Sequence, residues 1–254
     1  MDLRQARHLE KAGDYSRALK VYERCAERLS GERQAEALER AGAIYAGVFG
    51  RCDRAVPLFE RAARLGPFPD AKNDWPAEAR AALLECPDLF PLRPGSRWTY
   101  VDSASGGANM RLEVSVSTEG SRVSGAYFAG KQRFRGYDRS YDKADWALWE
   151  TEGRERRPIL RYPFRAGRSW SGASSGRKLE YTIEADGVLV RVKAGAFKDC
   201  IKVRARPVGE PAWVYEYFCP GVGRAKTTIG TSEGENPNTE LSFWEPAARP
   251  SAPR

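Results

Sequence analysis

The sequence predicts an α+β protein, with N-terminal α-helical repeat hairpins and a capping helix followed by a predominantly antiparallel β-sheet curled into a half-barrel or barrel. Apolar residues recur with helical spacing up to about residue 86, and they alternate with a period of two after Pro94-Gly95. Six of the seven tryptophans lie in the second region, which indicates a sheet wrapped around a bulky core or a cavity.

This change of pattern divides the chain into a helical domain at 1–86, a β domain at 87–245 and a disordered tail at 246–254. The tail is rich in Pro and Ala and cannot bury enough apolar surface to order itself. Hydrophobic residues make up 41% of the chain and charged residues 30%, as is typical of globular proteins. No apolar run approaches the ~20 residues that a membrane span needs, so no transmembrane segment is expected.

The net charge of +8 is concentrated in the β domain, because residues 1–86 carry only +1 and residues 87–254 carry +7. The predicted basic surface consists of Arg133, Arg135, Arg154, Arg156 and Arg157. Such a surface attracts nucleic acid, anionic lipid or acidic protein, although it is also what a solvated β surface produces. The alternation of arginines with Phe134 and Tyr137 is equally typical of a half-buried strand, so nucleic acid is not the expected partner.

Two segments with apolar residues at helical spacing, 14–29 and 53–67, anchor the helical domain. Asp53 is the expected N-cap of the second segment, and Gly66-Pro67 ends that segment. A further helix is expected from an N-cap at Asp74 to about Cys86, where it caps the last apolar face.

The two segments resemble the second helices of tetratricopeptide repeats, in which small residues let neighbouring helices approach and an aromatic residue fills the space between them. The residues that carry the resemblance are Gly13, Ala18, Tyr22 and Cys25 in the first unit and Gly50, Ala55, Phe59, Ala62 and Pro67 in the second. The resemblance implies a protein-binding groove lined by Arg7, Lys11, Arg40 and Ile44, suited to an acidic or C-terminal carboxylate ligand. Two repeats also form only a small groove, and that alternative stays open.

Eleven strands are predicted in the β domain, separated by turn signals that include Glu119-Gly120, Asp186-Gly187 and Gly209-Glu210. They are Ser96–Asp102, Met110–Ser117, Arg122–Ala129, Ala147–Thr151, Pro158–Tyr162, Lys178–Ala185, Val188–Lys193, Ile201–Arg206, Trp213–Phe218, Arg224–Ile229 and Thr239–Trp244.

A pattern P-x-R-x-G-x-x-W occurs twice in this domain, at 91–98 and 163–170. Trp98 and Trp170 are therefore predicted to be core anchors at corresponding places of two related half-sheets. Gly221 and Gly223 are predicted to supply backbone conformations that side chains oppose.

Residues 89–245 resemble a group of bacterial cell-envelope proteins, largely of unknown function, through the motifs at 91–100, 194–203 and 217–226. The group is similar to the half-barrel of lipoprotein carriers, which implies a lipophilic ligand under the curled sheet. The resemblance implies an envelope location on the periplasmic side if the chain is a processed form. The cytoplasmic alternative rests on the N-terminal sequence, which has no apolar signal core.

Few residues point to a reaction. His8 is the only histidine and lies in the helical domain, so neither a catalytic His in the β domain nor a zinc site is expected. A carboxylate cluster near Trp146 and Trp149 is the remaining enzymatic candidate, and it is also what a charged hairpin produces. Its members are Asp138, Asp142, Asp145, Glu150 and Glu152. We expect no catalytic residue, no metal and no cofactor.

The leading hypothesis is a non-enzymatic envelope protein that binds protein partners or acts as a scaffold. The first alternative is a carrier of a lipophilic ligand inside the sheet, and the second is a saccharide-active enzyme. Two disulfides, Cys52–Cys86 and Cys200–Cys219, are predicted from the expected proximity of the two helix ends and from a hairpin centred near Gly209. They would suit an oxidising compartment, whereas five separate buried thiols would suit the cytoplasm.

Overall fold

The computed structural model describes residues 2–69 and 71–247, so Met1, Asp70 and most of the predicted tail lie outside the described residues. The chain divides into two compact units. The first comprises Met1–Pro87 with Ala144–Trp146, and the second comprises Asp88–Lys143 with Ala147–Arg254. The first unit ends inside the interval from Cys86 to Pro94 in which the sequence pattern changes. The assignment of Ala144–Trp146 to the helical unit differs from the predicted domain bounds.

The described part of the first unit contains five α-helices and a π-helical turn at Ile44–Val48. Side chains of Asp2, Asp14 and Asp74 accept backbone N–H groups at three helix starts, each cap contributing about 1 kcal/mol. The predicted cap at Asp53 is wrong, because that helix begins at Cys52 and the Asp53 carboxylate binds the Arg51 guanidinium instead. The helices are α1 Leu3–Lys11, α2 Tyr15–Arg28, α3 Gly31–Ala43, α4 Cys52–Ala63 and α5 Trp75–Leu83.

Close packing of α3 and α4 depends on a small residue. The Phe59 ring lies so near Gly42 that a Cβ at Gly42 would stand 2.6 Å from a ring carbon. Ala18, Tyr22 and Phe59 are almost fully buried, as the small-and-aromatic pattern predicts. The five helices are thus present, but their assignment as tetratricopeptide hairpins is not confirmed and stays a prediction.

In its described part, the second unit contains one antiparallel sheet of twelve strands, which confirms the predicted α+β class and the curled antiparallel sheet. Strands follow one another around the sheet from β7 through β12 to β1 and on to β6, so the sheet forms a nearly closed barrel. The strands are β1 Arg97–Asp102, β2 Arg111–Val116, β3 Arg122–Ala129, β4 Gln132–Ala144, β5 Ala147–Glu152, β6 Glu155–Arg161, β7 Ser169–Ser174, β8 Arg177–Val192, β9 Gly195–Pro207, β10 Trp213–Cys219, β11 Gly223–Thr231 and β12 Gly234–Glu245.

The two halves of the barrel, β1–β6 and β7–β12, meet at two seams, and only one seam is a continuous ladder. At the first seam β1 pairs with β12 from Arg97↔Glu245 to Asp102↔Thr239. At the second seam β6 and β7 are the two ends of the ladder. They approach there through the Trp170 indole, which donates to the Pro158 carbonyl at 2.8 Å. Pro158 has no N–H to give to a neighbouring strand, and proline in a sheet is confined to such edges.

Candidate functional site

Two glutamate–arginine pairs lie in the barrel interior, one on the β5–β6 hairpin and one on the β10–β11 hairpin. Arg157 donates to Glu150 Oε1 from Nη2 at 2.6 Å and from Nε at 3.0 Å. Arg224 Nη1 donates to Glu216 Oε1 at 2.5 Å. Each pair joins neighbouring strands, so the charges are held on a rigid scaffold.

Tyrosines extend the first pair across the interior. Tyr141 donates its hydroxyl to Glu150 Oε2 at 2.9 Å, and the hydroxyls of Tyr137 and Tyr141 are 2.9 Å apart. Both tyrosines lie on β4, four residues apart, where the alternation of a strand puts them on one face. We call the whole set the interior polar cluster; its members are Tyr100, Tyr137, Tyr141, Glu150, Arg157, Tyr181, Glu216 and Arg224.

Protonation states in this cluster are fixed by burial and by pairing. Burial opposes ionisation of Glu150, but the charges of Arg157 and Arg224, with hydrogen bonds from Arg157 and Tyr141, lower its pKa below the usual value. Burial would lower the pKa of Arg157, yet Glu150 raises it. Burial raises the pKa of Tyr141 well above the usual value. At neutral pH the Glu150–Arg157 pair is therefore ionised, and the Tyr141 hydroxyl is a neutral donor.

One end of the barrel is filled. Phe90 packs against Tyr141 with ring centroids 4.7 Å apart and against Trp98 and Phe218 at 6.4 Å. The gap that remains between these rings and Arg224 is about 10 Å³, about the size that holds a single water molecule. No elongated ligand fits through this end.

The other end contains an open cavity of about 550 Å³, which we call the mouth cavity. Arg157 and Glu216, one member of each buried pair, form part of its wall. Leu179, Ala205 and Val214 give it an apolar side. The complete lining is Arg157, Ser174, Ser175, Arg177, Leu179, Tyr181, Ala205, Pro207, Val214 and Glu216.

Four of the five arginines of the predicted basic surface are exposed, and the fifth is not. Arg133 and Arg135 are exposed on β4, and Arg154 and Arg156 are exposed on the β5–β6 hairpin. Arg157 was wrongly predicted to belong to this surface, because the alternation of β6 turns its side chain to Glu150 in the interior. Arg156, the preceding residue, instead stacks on Trp149 at 4.2 Å and pairs with Asp142.

The residues predicted to line a basic groove in the helical unit do not form one. Arg7 is bound by Glu36 at 2.5 Å, and Arg40 lies 3.6 Å from Glu10. Ile44 is only 2% exposed, and among the four only Lys11 is an exposed and unpaired cation in the described chain. The prediction of a basic lining is wrong, because Glu10 on α1 and Glu36 on α3 neutralise its arginines.

The repeated motif forms the same local structure twice. Gly95 and Gly167 have φ values of 85° and 86°, in the left-handed region that favours glycine. Trp98 donates to the Val222 carbonyl at 2.6 Å, as Trp170 donates to Pro158. Gly221 and Gly223, in the turn that holds Val222, also have positive φ.

Cys52 is bonded to Cys86 and Cys200 to Cys219, with Cα separations of 5.3 and 4.2 Å. The β9–β10 register places Cys200 opposite Cys219, because Ile201 pairs with Phe218. Cys25 is a buried thiol.

The acidic residues considered for catalysis are dispersed. Asp138 pairs with Arg122 and Asp142 with Arg156 on the outer surface, while Glu150 points inward. Within residues 2–69 and 71–247 no group of three or more potential metal ligands comes together.

Sequence reasoning missed the two interior pairs. Glu150 lies two residues from Leu148 on the same face of a predicted strand, and Glu216 lies two residues from Val214 and Phe218 in the same way. A charged residue on the same strand face as buried apolar residues is therefore the sequence signal that indicates an interior charge.

Comparison with known proteins gives little further information. No protein-family profile and no curated protein matches the chain. Two solved structures are distantly similar. A putative lipoprotein from Parabacteroides distasonis has 15% identity over 62% of this chain and 98% of its own, with a TM-score of 0.42. A putative exported protein with YmcC-like fold from Bacteroides fragilis has 13% identity over 61% of this chain and 98% of its own, with a TM-score of 0.41. LprF from Mycobacterium bovis has 8% identity over 69% of this chain and 96% of its own, with a TM-score of 0.20. At these scores we infer neither fold nor function from the likeness.

Among the described residues, no helix is both long and apolar enough to cross a membrane.

Proposed function

We propose that the protein is a non-enzymatic binding protein whose mouth cavity holds a small amphiphilic ligand with one anionic group. The observation that carries this proposal is the mixed lining, in which Leu179, Ala205 and Val214 face Arg157 and Arg177. A volume of about 550 Å³ lies within the ~300–1,000 Å³ of small-molecule sites.

Charge supports an anionic ligand. Arg157 and Glu216 are each bound by an interior partner, Glu150 and Arg224, so Arg177 is the lining charge that remains for a ligand. The only ion-pair partner of Arg177 in the described chain is Glu210, at 3.3 Å in an exposed position, which is a weak pair. A ligand carboxylate or phosphate would therefore bind the Arg177 guanidinium in place of Glu210, at a small cost in free energy.

The ligand's apolar part is short in this proposal. A lipophilic carrier with a long chain inside the sheet would need space where Phe90, Trp98 and Phe218 fill the opposite end. The mouth cavity alone suits a medium-length chain.

Absence of catalysis is part of the proposal. A general acid working near neutral pH needs a raised pKa, whereas the Arg157 and Arg224 charges lower that of Glu150. The lowered pKa of Glu150 also weighs against the saccharide-active alternative, as does the position of Asp138 and Asp142 on the outer surface.

An envelope location on the periplasmic side is also proposed. Two disulfides support it, since such bonds persist in oxidising compartments and are rare in the cytosol.

Titration calorimetry with decanoate and with decanol tests the binding function, because the two ligands differ mainly in charge. Decanoate should bind and decanol should bind at least several-fold more weakly. Ala205→Trp, which fills the cavity, should abolish binding, whereas Arg206→Trp on the opposite face of β9 should preserve it. Thermal melts check that both variants fold. Failure of decanoate to bind, or unchanged binding by Ala205→Trp, would contradict the proposal.

A second candidate is the protein-binding role of the helical unit. The specific observation is a pair of adjacent exposed apolar residues, Val48 and Phe49, which are 47% and 43% exposed. If this role is real, Val48→Ser with Phe49→Ser should release a partner that co-purifies with the unaltered protein, while leaving decanoate binding unchanged.

A further inference from the structure

Six hairpin tips lie at the end of the barrel that contains the mouth cavity, and their charges are unevenly distributed. The tips at 129–135, 152–157 and 174–178 together carry eight Lys/Arg and two Asp/Glu, a balance of +6. The other three, at 102–111, 206–213 and 231–235, carry a balance of −2. We call the first three tips the basic rim; two of them contribute lining residues to the mouth cavity.

Several cations of the basic rim are not used inside the protein. Lys131, Arg133, Arg154 and Lys178 are exposed, and none of them forms an ion pair with another described residue. Their hydration is therefore the only interaction that an external anion has to replace. By contrast, Arg156 and Arg177 already have acidic neighbours.

An exposed aromatic side chain stands among these cations. Phe134 is 56% exposed, the largest fraction among the exposed large hydrophobic residues of the described chain. It follows Arg133 and precedes Arg135, and its ring lies 6.0 Å from that of Tyr127. Val208, on the β9–β10 tip next to the 174–178 tip, is 53% exposed.

We propose that the basic rim docks on the surface of an anionic lipid bilayer, with Phe134 entering the interface and the cations contacting lipid phosphates. Positive charge combined with an exposed apolar wedge is the combination that interfacial binding requires. An acidic protein would use the charge but not the apolar side chain. A single-stranded nucleic acid stacks its bases on aromatic rings, but it follows a continuous basic groove, whereas these cations stand on separate hairpin tips. The proposal does not depend on a ligand in the mouth cavity.

Sedimentation of the full chain with vesicles tests this docking. Vesicles that contain phosphatidylglycerol should bind the protein, pure phosphatidylcholine vesicles should not, and salt should weaken the binding. Replacing Lys131, Arg133 and Arg154 by Gln should lower the partition coefficient on the order of 100-fold, at roughly five-fold for each cation. These three residues are unpaired, so the variant should fold normally.

A matched triple variant separates position from net charge. Arg93→Gln, Arg97→Gln and Arg165→Gln remove the same charge at the opposite end of the strands and should change the partition only a few-fold. Phe134→Ser should weaken binding, whereas Phe243→Ser, which alters a 51% exposed phenylalanine at that opposite end, should not.

Equal loss in both triple variants would overturn the proposal, because net charge alone would then explain the binding. Equal binding to both vesicle types would overturn it too. So would binding of single-stranded DNA or an acidic protein without vesicle sedimentation. Decanoate titration of the same variants keeps this result separate from the cavity function.

Discussion

The two halves of the barrel, β1–β6 and β7–β12, begin with the same motif but meet differently at their two seams. In each half a glycine of the motif donates to the next strand, Gly95 to Val116 and Gly167 to Ile183, and a tryptophan follows. At the β1–β12 seam Trp98 stacks on Trp244 beside a full ladder. At the β6–β7 seam Trp170 reaches only the Pro158 carbonyl.

The difference shows how a duplicated pattern can supply both stability and a binding site. The paired seam contributes Trp98 to the filled end of the interior, where it packs against Phe90. The unpaired seam borders the mouth cavity, whose lining includes Arg157 from β6 and Ser174 from β7. Each half also contributes one interior glutamate–arginine pair, and the β5–β6 pair accepts a hydrogen bond from Tyr141 of β4.

Removal of Arg157 should have the largest effect on stability. Arg157→Ala leaves the Glu150 charge buried without its main partner, which costs roughly 3–5 kcal/mol of the free energy of unfolding. Lowering the pH should restore part of this loss, because protonation removes the buried charge. Urea unfolding gives the value, and Arg156→Ala, an exposed neighbour, should cost under about 1 kcal/mol. An equal cost for both variants would mean that the interior pair contributes no more to the free energy of unfolding than an exposed pair.

Loss of the disulfides should be the next largest effect, and it compares the two units. Replacing Cys200 and Cys219 by Ser should cost about 3 kcal/mol, and replacing Cys52 and Cys86 about 4 kcal/mol, because the second bond closes the longer loop. Denaturant unfolding measures both. Counting five free thiols in unreduced protein from its native compartment would show that neither bond forms there.

The Glu150–Arg157 pair of the barrel keeps a buried glutamate ionised, and Glu39 of the helical unit is the opposite case. Burial raises the pKa of Glu39 from 4.5 to about 7, with the nearby Arg40 opposing and Glu78, Glu10 and Glu36 reinforcing the shift. The folded state then keeps a proton that the unfolded chain loses between those pH values. The free energy of unfolding should therefore fall by up to roughly 3 kcal/mol as the pH rises from 4.5 to 7.

Glu39→Gln should flatten this dependence and make the protein more stable above pH 7. Chemical unfolding across the pH range measures the slope. A slope unchanged by the substitution would show that Glu39 ionises normally in the folded protein.

The smallest effect concerns the two indole groups. Trp98→Phe and Trp170→Phe each leave a buried carbonyl without its donor, at a cost of about 1–3 kcal/mol. We expect the change at Trp98 to be the more harmful, since Trp98 also stacks on Trp244 with centroids 4.9 Å apart. Thermal unfolding compares the two variants, and the reverse order would contradict the difference between the seams.

Much of the fold could be predicted from local pattern, and the failures have physical causes. β3, β10 and β11 alternate openly and were predicted within two residues. β4 was not predicted, because the run from Lys131 to Arg139 is so rich in charge that the inward Tyr137 and Tyr141 do not stand out as an alternating apolar pattern. Asp186-Gly187 was interpreted as a hairpin turn, but β8 continues through it as a bulged strand, with Gly187 at φ 65°.

The site was harder to predict than the fold. Both cysteine pairs named from the sequence are bonded in the structure. Hairpin register, a local property, indicated Cys200–Cys219, and the expected proximity of two helix ends indicated Cys52–Cys86. Arg157 was placed on the surface because nothing in the run from Arg154 to Arg157 indicates which arginine faces Glu150. The mouth cavity itself depends on strands that lie far apart in the sequence, from β6 to β10, and no local pattern specifies such a space.

Amide hydrogen exchange with and without decanoate tests the central claim most directly. We expect decanoate to slow amide exchange at 174–181 and 205–216, which line the mouth cavity beside the unpaired seam. Exchange in β1 and β2 should not change. Protection confined to the helical unit, or no protection at saturating decanoate, would contradict it.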